Sequence, residues 1–392
     1  MIKNVLRPLL QMRSYWSLST ACKAELHYDR MGLPSQDPGI ERVIHENVGW
    51  LCLAQDHSAS HDDGVAHHFS LETGWSTSYP ETTGCIVPTL LAYAKIRSDE
   101  EVRHRAKRML DWLVSLQFSD GGFQGGMIGS QPVVPVTFNT GVVLLGLASG
   151  VREFGDYREA MRRAADWLVA TQDPDGCWRK HPTPFAEPGD KTYETYLVCG
   201  LLEAARLEPG KPYADAALAA VRWALRSQHE NGWFEKCCLS ESLQPLTHTV
   251  GYILGGLLEA YRFTNDAALL QACRKTGDGL LTAIRHEGIL PGRLDSNWRG
   301  AVPWVCLTGS SQIAHCWLTL YQLTGDARYR DAAYAANRYV RRTIKVEGPP
   351  ETRGAVKGAF PVSGEYFPYQ YPNWACKFSV DSNLLEKAVR GV

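Results

Sequence analysis

The sequence lacks an excess of charge of either sign. Its 41 lysines and arginines are balanced by 42 aspartates and glutamates, which leaves a formal net charge of −1. A nucleic-acid-binding surface or a polybasic membrane anchor would appear as a basic excess, so the expected partner is a small or uncharged molecule. Long apolar runs are also missing, because no stretch approaches the roughly 20 apolar residues of a membrane-spanning helix.

Paired cysteine motifs are absent as well. The 11 cysteines include no C-x-x-C pair, and only Cys237 and Cys238 are neighbours. An odd number of scattered cysteines argues against a disulfide framework and against a structural zinc site. We therefore expect a reduced, cytoplasmic protein with no metal and no other cofactor. The first 24 residues are basic and carry no acid, so a targeting segment stays open beside an ordinary N-terminal arm.

One phrase occurs three times, at residues 112–123, 167–178 and 223–234, and each copy contains Gln-x-x-x-Gly-x-aromatic. The glutamines Gln117, Gln172 and Gln228 are 55 and 56 residues apart (172 − 117 and 228 − 172). This period is typical of a repeat of two helices and two loops. In each copy Trp and Leu are expected on a buried helix face, followed by a glycine in the left-handed conformation that ends the helix.

The segments between the phrases are of two kinds. Residues 140–150, 196–205 and 250–261 are apolar nearly all round, which predicts inner helices buried on both sides. Residues 157–167 and 329–339 have one charged face and are predicted to be outer helices. Thr, Ser and Asn recur just before the inner helices, where we expect them to cap the free N–H groups.

Five complete pairs of helices are predicted, starting near Glu81, Asn139, Glu194, His248 and Ser311. A sixth inner helix at residues 374–386 has no partner after it. Residues 39–55 end in a similar Trp-Leu-x-x-x-Gln phrase and provide the missing outer helix. The sequence therefore predicts an all-α protein with an N-terminal arm, residues 1–38, and a single (α/α)6 toroid domain, residues 39–392, closed by its two ends.

The repeated phrase resembles that of squalene-hopene cyclases and protein prenyltransferase β subunits. The resemblance implies the toroid fold but not the chemistry. The Asp-x-Asp-Asp cluster of the cyclase proton donor does not occur, and Asp190, Cys199 and His248 lack the spacing of the prenyltransferase zinc ligands. Residues 79–84, 138–141 and 372–378 resemble phrases of helical toroid proteins of bacterial extracellular-polysaccharide production, which implies a carbohydrate substrate.

In a closed ring all inner helices start at the same end, so the residues at their starts should converge. Glu81 and Glu194 are predicted as an acid/base pair for glycoside hydrolysis. Tyr79, Tyr193 and His248 are predicted to support them, or to supply the base of a uronate lyase or epimerase. The predicted substrate-binding residues are Trp75, Gln124, Asn139, Trp178, Arg179, Arg293, Asp295, Trp298, Trp374 and Lys377.

Three functions stay open at this point. The leading one is an enzyme acting on an oligosaccharide or polysaccharide, and the others are an isoprenoid enzyme and a non-catalytic glycan-binding scaffold. Glu81 and Glu194 have a simpler interpretation as first-turn charges that favour the helix dipole. His248 is equally explained as a buried structural histidine. The oligomeric state is not indicated by the sequence.

Overall fold

A computed structural model describes residues 15–239 and 243–391 of the chain. Most of the basic N-terminal segment lies outside the described residues. The described part is mainly helical, and none of its helices is long and apolar enough to cross a membrane. The helices, numbered in chain order, are α1 Thr20–Arg30, α2 Ile40–Asp56, α3 Pro80–Arg97, α4 Glu100–Leu116, α5 Thr137–Phe154, α6 Arg158–Thr171, α7 Val198–Leu207, α8 Tyr213–Leu225, α9 Thr247–Thr264, α10 Ala267–Ala283, α11 Leu307–Thr324, α12 Ala327–Thr343 and α13 Asn373–Arg390.

Within the described residues, α2 to α13 form a closed ring of six helical pairs. The inner helices are α3, α5, α7, α9, α11 and α13, and each packs against the next. The last inner helix, α13, packs against the first outer helix, α2, and against α3. The predicted (α/α)6 toroid and its closure by the two ends of the chain are therefore confirmed.

The inner helices approach one another closely through glycine. A Cβ atom added to Gly84 on α3 would lie 2.6 Å from the Cα atom of Val143 on α5. A Cβ on Gly200 of α7 would lie 2.3 Å from the backbone oxygen of Gly141 on α5. Neither distance is tolerated by real side chains, so any larger residue would push the inner helices apart.

The repeated glutamine ties neighbouring outer helices together. The Nε2 group of Gln117, after α4, donates to the backbone oxygen of Gly121 at 3.0 Å and to that of Ala160 on α6 at 2.9 Å. Each amide thus joins its own loop to the next outer helix. Equivalent bonds run from Gln172 to Gly176 and Ala216, from Gln228 to Ala272, and from Gln55 to Asp63 and Arg105.

The glycine of the phrase does not end the helix, and this prediction was wrong. Helix α4 ends at Leu116, and Gln117 follows it in an extended conformation with φ −65° and ψ 126°. Gly121 lies in the turn beyond, with φ 106°, where a Cβ atom would come within 2.3 Å of the backbone oxygen of Arg163 on α6. Glycine is needed because the turn is left-handed and its backbone touches the next outer helix.

The threonines at the starts of the inner helices also differ from the expected caps. The N-cap residues of α3 and α5 make no side-chain cap hydrogen bond. Thr83 instead lies inside the first turn of α3, where its hydroxyl donates to the Tyr79 oxygen at 2.8 Å and accepts the Val65 N–H at 3.0 Å. Thr140 makes the same pair of bonds in α5. The threonines therefore fix each helix start against the preceding loop.

Helix α1, within the predicted N-terminal arm, is held by a buried cluster of charges. The Lys357 Nζ atom lies 2.6 Å from Glu25 Oε1 and also bonds Asp29, while Lys345 bonds Glu25. Asp29 accepts the Val362 N–H at 2.6 Å. Because an unpaired buried charge is costly, these partners hold the arm against the loop between α12 and α13, where the ring closes.

Two small antiparallel sheets lie in the loops. In the first, β1 His68–Ser70 pairs with β2 Gly74–Trp75 and with β5 Gln370–Pro372. In the second, β3 Val305–Cys306 pairs with β4 Ala359–Phe360. The first sheet joins the loop after α2 to the loop before α13, so it also bridges the two ends of the ring.

Replacing Gln172 with alanine should destabilise the protein by about 1–3 kcal/mol, because the change leaves buried backbone oxygens without their donor. Urea denaturation measures the free energy of unfolding. Gln271, exposed on α10, is the matched control, and its alanine variant should stay within about 0.5 kcal/mol of the wild type. Equal losses in the two variants would contradict the role given to the repeated glutamine.

Candidate active site

The starts of the inner helices line a cavity of about 220 Å³, here called the first cavity. Six of the residues predicted for the site reach it: Tyr79, Glu81, Asn139, Tyr193, His248 and Trp374. Its other lining residues are His67, Thr82, Phe138, Thr183, Phe185, Ala186, Leu239, Thr249, Tyr252, Tyr366 and Phe367. The convergence of the helix starts, expected from ring closure, thus brings acid, imidazole and aromatic groups together.

A chain of hydrogen bonds ends on the Glu81 carboxyl group. The Tyr79 hydroxyl donates to Glu81 Oε2 at 2.5 Å, and the Asn139 amide donates to the Tyr79 oxygen at 3.1 Å. Tyr79 is the N-cap residue of α3 and Asn139 lies in the first turn of α5, so two adjacent helix starts build this chain. It orients the carboxyl group and leaves Glu81 Oε1 available for a ligand.

Burial raises the pKa of Glu81 to about 7, and the hydrogen bond from Tyr79 opposes that rise. The side chain is buried, and within the described residues it is the one acidic group that lines the first cavity. A carboxyl group with a pKa near neutrality is suited to donate a proton or to take one back.

His248, the second residue of α9, presents a neutral imidazole to the same cavity. Burial lowers its pKa to about 4, while the hydrogen bond with Gln312 opposes that fall. Its Nδ1 atom bonds the Oε1 atom of Gln312 on α11. Because an amide oxygen only accepts, Nδ1 carries the proton and Nε2 keeps its lone pair. His248 therefore has the protonation state of a general base.

His67 is a second neutral imidazole, which the sequence analysis did not assign to the site. Burial and, to a lesser extent, the neighbouring His68 lower its pKa to about 3. The two Nδ1 atoms lie 2.8 Å apart, so one donates and the other accepts. His67 packs on Tyr79 and on Trp374, with ring centroids at 5.0 Å and 4.7 Å. Its position before β1 carries no helical signal, and this is why the sequence did not reveal it.

Aromatic rings form much of the cavity wall. Tyr252 lies beneath His248 with ring centroids 4.4 Å apart, and it also packs on Phe138 at 5.4 Å. The sequence contained the signal for Tyr252, since residues four apart share a helix face. Phe367 covers His67 from the loop before α13, with φ 52°, a left-handed conformation that is costly for a side chain of this size.

Glu194 does not face Glu81, so the predicted pair of carboxylates is not assembled in this structure. Residues Thr192–Leu197 form a 3₁₀ helix, with three residues per turn instead of 3.6. Tyr193 is the second residue of this helix, as Glu81 is of α3, and it faces the first cavity. Glu194, the third residue, lies in a separate, narrow pocket beside Trp178. Burial raises the pKa of Glu194 to about 7, opposed by Lys191.

The other predicted tryptophans pack within the ring. Trp75 lies against Trp50, with ring centroids 5.4 Å apart. Trp178 donates from Nε1 to the Leu168 oxygen, and the buried Trp298 donates to the Asn231 oxygen. Trp374 alone of the four lines the first cavity, where its Nε1 donates to the Tyr366 hydroxyl at 2.8 Å.

The predicted charged ligands and Gln124 lie outside the first cavity. Arg179 forms ion pairs with three aspartates of its own loop, and Asp295 accepts two N–H groups of the turn that follows it. Arg293 donates to the Gln244 oxygen, and the backbone of Gln124 pairs with Pro135. Lys377 lines a different cavity, further along the inner helices. None of these residues lines the first cavity.

Solved structures with the same fold cover almost the whole chain. An unsaturated glucuronyl hydrolase specific for heparin matches with a TM-score of 0.73 and 15% identity, covering 91% of this chain and 99% of its own. A D-mannose isomerase matches at 0.69 and 12%, covering 91% and 100%. The cellobiose 2-epimerase of Bacillus thermoamylovorans B4167 matches at 0.69 and 9%, covering 88% and 97%. At these identities the likeness establishes the toroid fold alone.

Similarity in sequence points to a different group of proteins. The chain is 28% identical to drimenyl diphosphate synthase of Streptomyces showdoensis over 177 residues, 45% of this chain and 32% of that protein. It is 38% identical to ent-copalyl diphosphate synthase of Streptomyces sp. strain KO-3988 over 103 residues, 25% of this chain and 18% of that protein. The matched region spans a third or less of these relatives. No known family profile matches the chain.

The raised pKa of Glu81 predicts a pH-dependent effect of Glu81→Gln. The unfolded chain loses this proton near the ordinary pKa of 4.5, whereas the folded protein keeps it up to about pH 7. Between these two values the wild type therefore loses stability as the pH rises. Glutamine does not titrate. The free energy of unfolding of the variant, relative to the wild type, should therefore increase by about 3 kcal/mol from pH 4 to pH 8.

Urea denaturation across this pH range measures that difference. Glu159→Gln, exposed on α6, controls for the loss of one acidic side chain. A difference between Glu81→Gln and wild type that stays constant with pH would show that Glu81 has the same pKa in the folded and unfolded chain, and would contradict the raised value.

Proposed function

We propose that this protein is a carbohydrate-active enzyme that moves a proton at a sugar carbon next to a carbonyl group, as an epimerase, an isomerase or a lyase does. The observation that carries the proposal is the pairing of Glu81 with His248 in one aromatic-lined cavity. One group holds a proton near neutral pH, and the other is a neutral imidazole with a free lone pair. General acid–base catalysis requires such a proton donor and such a proton acceptor.

In the proposed reaction, His248 Nε2 takes the proton from the carbon beside the carbonyl. The electron pair of that C–H bond forms a C=C bond, and the carbonyl oxygen takes a proton from the Glu81 carboxyl group. The product is a neutral enediol. His248 then returns its proton to a carbon while the Glu81 carboxylate takes the proton of one enediol hydroxyl, which regenerates a carbonyl. Addition to the former carbonyl carbon gives the isomer, and addition to the original carbon, after the enediol has turned its other face to His248, gives the epimer. Burial strengthens both transfers, because water does not compete for these groups.

Hydrolysis by a carboxylate pair is less well supported. It requires two carboxyl groups about 5 to 9.5 Å apart across the scissile bond. Among the described residues, Glu81 is the one acid lining the first cavity, and Glu194 opens into another pocket. The glucuronyl hydrolase shares the fold with this chain, and the isomerase and the epimerase share it equally. The chemistry of the site therefore supports proton transfer over hydrolysis.

The shape of the first cavity favours a sugar that enters end-on. Phe185 and Phe367 lie at the cavity beside the deeper Tyr252. Aromatic faces stack on the apolar faces of sugar rings, and a volume of about 220 Å³ is small for a polymer that runs through. The proposed substrate is a free sugar, or the end residue of an oligosaccharide or polysaccharide.

The cysteines support the expectation of a reducing, cytoplasmic setting. All 11 lie within the described residues, none of them forms a disulfide, and Cys52 is the one that is not fully buried. Burial raises the pKa of the Cys52 thiol to about 11, which disfavours the reactive thiolate. The chain thus has no disulfide whose formation would require an oxidising compartment.

An isoprenoid enzyme is the second candidate. The aromatic lining of the first cavity and the partial identity to two diphosphate synthases favour it. A protonated Glu81 is also suited to protonate an alkene. Against it, the cavity holds polar groups on several sides, and the sequence has no Asp-x-Asp-Asp cluster.

Proton transfer at carbon is directly measurable by proton NMR in D₂O. D-mannose, cellobiose and a D-glucuronide form the substrate panel, and farnesyl diphosphate tests the second candidate. With an active sugar, Glu81→Gln and His248→Asn should each lower deuterium incorporation by about 10²-fold or more, because each removes one proton carrier.

Glu194→Gln is the matched control and should keep activity near that of the wild type, since its carboxyl group lies outside the first cavity. Full activity in both Glu81→Gln and His248→Asn would overturn the assignment. Conversion of farnesyl diphosphate without any exchange in sugars would favour the second candidate.

Gln312 is proposed as a positioning residue that acts through His248. Gln312→Leu removes the acceptor of Nδ1–H, so kcat should fall by about tenfold while KM stays within a factor of about two. Gln312→Glu keeps an acceptor and adds negative charge, which raises the pKa of His248 and moves the acidic limb of the pH–rate profile to higher pH. Identical pH profiles for wild type and Gln312→Glu would contradict this role.

A further inference from the structure

A second cavity, of about 200 Å³, lies further along the same ring. It extends from the middle of the inner helices toward their C-terminal ends, the end opposite to the proposed active site. Its aromatic lining residues are Tyr196 and Phe378, and Tyr252 of the first cavity packs on both rings. Aromatic side chains therefore lie between the two cavities.

Charged groups of both signs line this second cavity, and each acid among them has a cation as partner. Asp381 lies 2.7 Å from the Nζ atom of Lys377. Glu203 and Glu259 both bind Arg206, the latter at 2.6 Å. Glu203 also forms an ion pair with Arg152. The acids of the wall are thus neutralised within the protein.

Arg262, an exposed residue near the end of α9, is the remaining cation that lines the cavity, and no acid among the described residues forms an ion pair with it. Its one hydrogen bond is a long contact of 3.5 Å to the Thr319 hydroxyl. His315, one helical turn before Thr319 on α11, has a buried Nδ1 atom without a hydrogen-bond partner in the described part of the chain. Burial lowers the pKa of His315, so its ring is neutral with a single N–H. Because the ring already hydrogen-bonds the backbone of Asp381, the Nδ1 atom keeps a lone pair that can accept a hydrogen bond.

We infer that the second cavity binds a small organic anion, a carboxylate or a phosphate ester, with its negative group on Arg262. The guanidinium fork matches the geometry of both oxyanions. The Thr319 hydroxyl lies beside the guanidinium, and the His315 Nδ1 atom can accept a hydrogen bond from a hydroxyl group of the ligand. Tyr196 and Phe378 contact the body of the ligand. The cavity is smaller than a typical drug-sized site, which restricts the ligand to a small metabolite.

Isothermal titration calorimetry with two probes tests this site. Inorganic phosphate represents the phosphate source, and D-glucuronate represents a carboxylate on a sugar body. The wild type should bind at least one of them with a Kd below about 10 mM. Arg262→Gln should weaken that binding roughly tenfold or more, and Thr319→Val should weaken it by a smaller factor.

Arg328→Gln is the matched control. Arg328 is exposed at the start of α12, where it is paired with Asp326 and Asp278, and its loss should leave binding unchanged. Tighter binding of phosphate would identify a phosphate ester as the ligand class, and tighter binding of glucuronate a carboxylate. Absence of binding by both probes, or equal binding to wild type and Arg262→Gln, would overturn the inference. Circular dichroism confirms that each variant is folded.

Discussion

The ring rests on a repeated contact between neighbouring outer helices. A glutamine amide after one outer helix bonds a backbone oxygen of the next, at 2.9 Å for Ala160, 2.8 Å for Ala216 and 2.9 Å for Ala272. Beside it, a left-handed glycine lets the turn touch the same helix. The contact sets the distance and rotation between successive pairs. Ring closure, and with it the meeting of the inner-helix starts, follows from that repeated step.

Convergence at one end of the ring then produces the electrostatics of the site. Each inner helix contributes few polar groups, and the close approach of the helices keeps water away from them. The Glu81 carboxyl group is therefore held near its point of half-protonation, whereas the buried imidazoles His67 and His248 are kept neutral. The same packing that stabilises the toroid gives these groups the proton affinities that acid–base chemistry needs.

Sequence reasoning was most successful where the signal is periodic. The repeated phrase predicted the number of pairs, the closing partner of α13 and the end of the ring where Glu81, Asn139 and His248 meet. It was less successful where a local departure from the repeat decides a side chain's direction. In the 3₁₀ helix at Thr192–Leu197, Tyr193 takes the second position that Glu81 holds in α3, so Glu194 lies in a separate pocket.

Site residues that lie in loops were also poorly predicted from the sequence. His67 and Phe367 reach the site from segments without helical periodicity, and the small sheet that joins their loops pairs strands separated by most of the chain. The tryptophans and charged residues predicted as ligands were chosen because their loops end near the ring. Trp298, however, already donates to the Asn231 oxygen, and Arg179 is paired with Asp175. Distance along the chain does not reveal which aromatic or charged side chains are already bound within the protein.

Joint action of Glu81 and His248 on a sugar requires that both side chains contact adjacent oxygen atoms of one ligand. A crystal structure with an open-chain alditol, which resembles the ring-opened sugar, measures this contact. We expect an alditol in the first cavity, with adjacent hydroxyl groups hydrogen-bonded to the Glu81 carboxyl group and to His248 Nε2. An alditol bound elsewhere, with an isoprenoid chain occupying the first cavity in a parallel soak, would contradict this joint action.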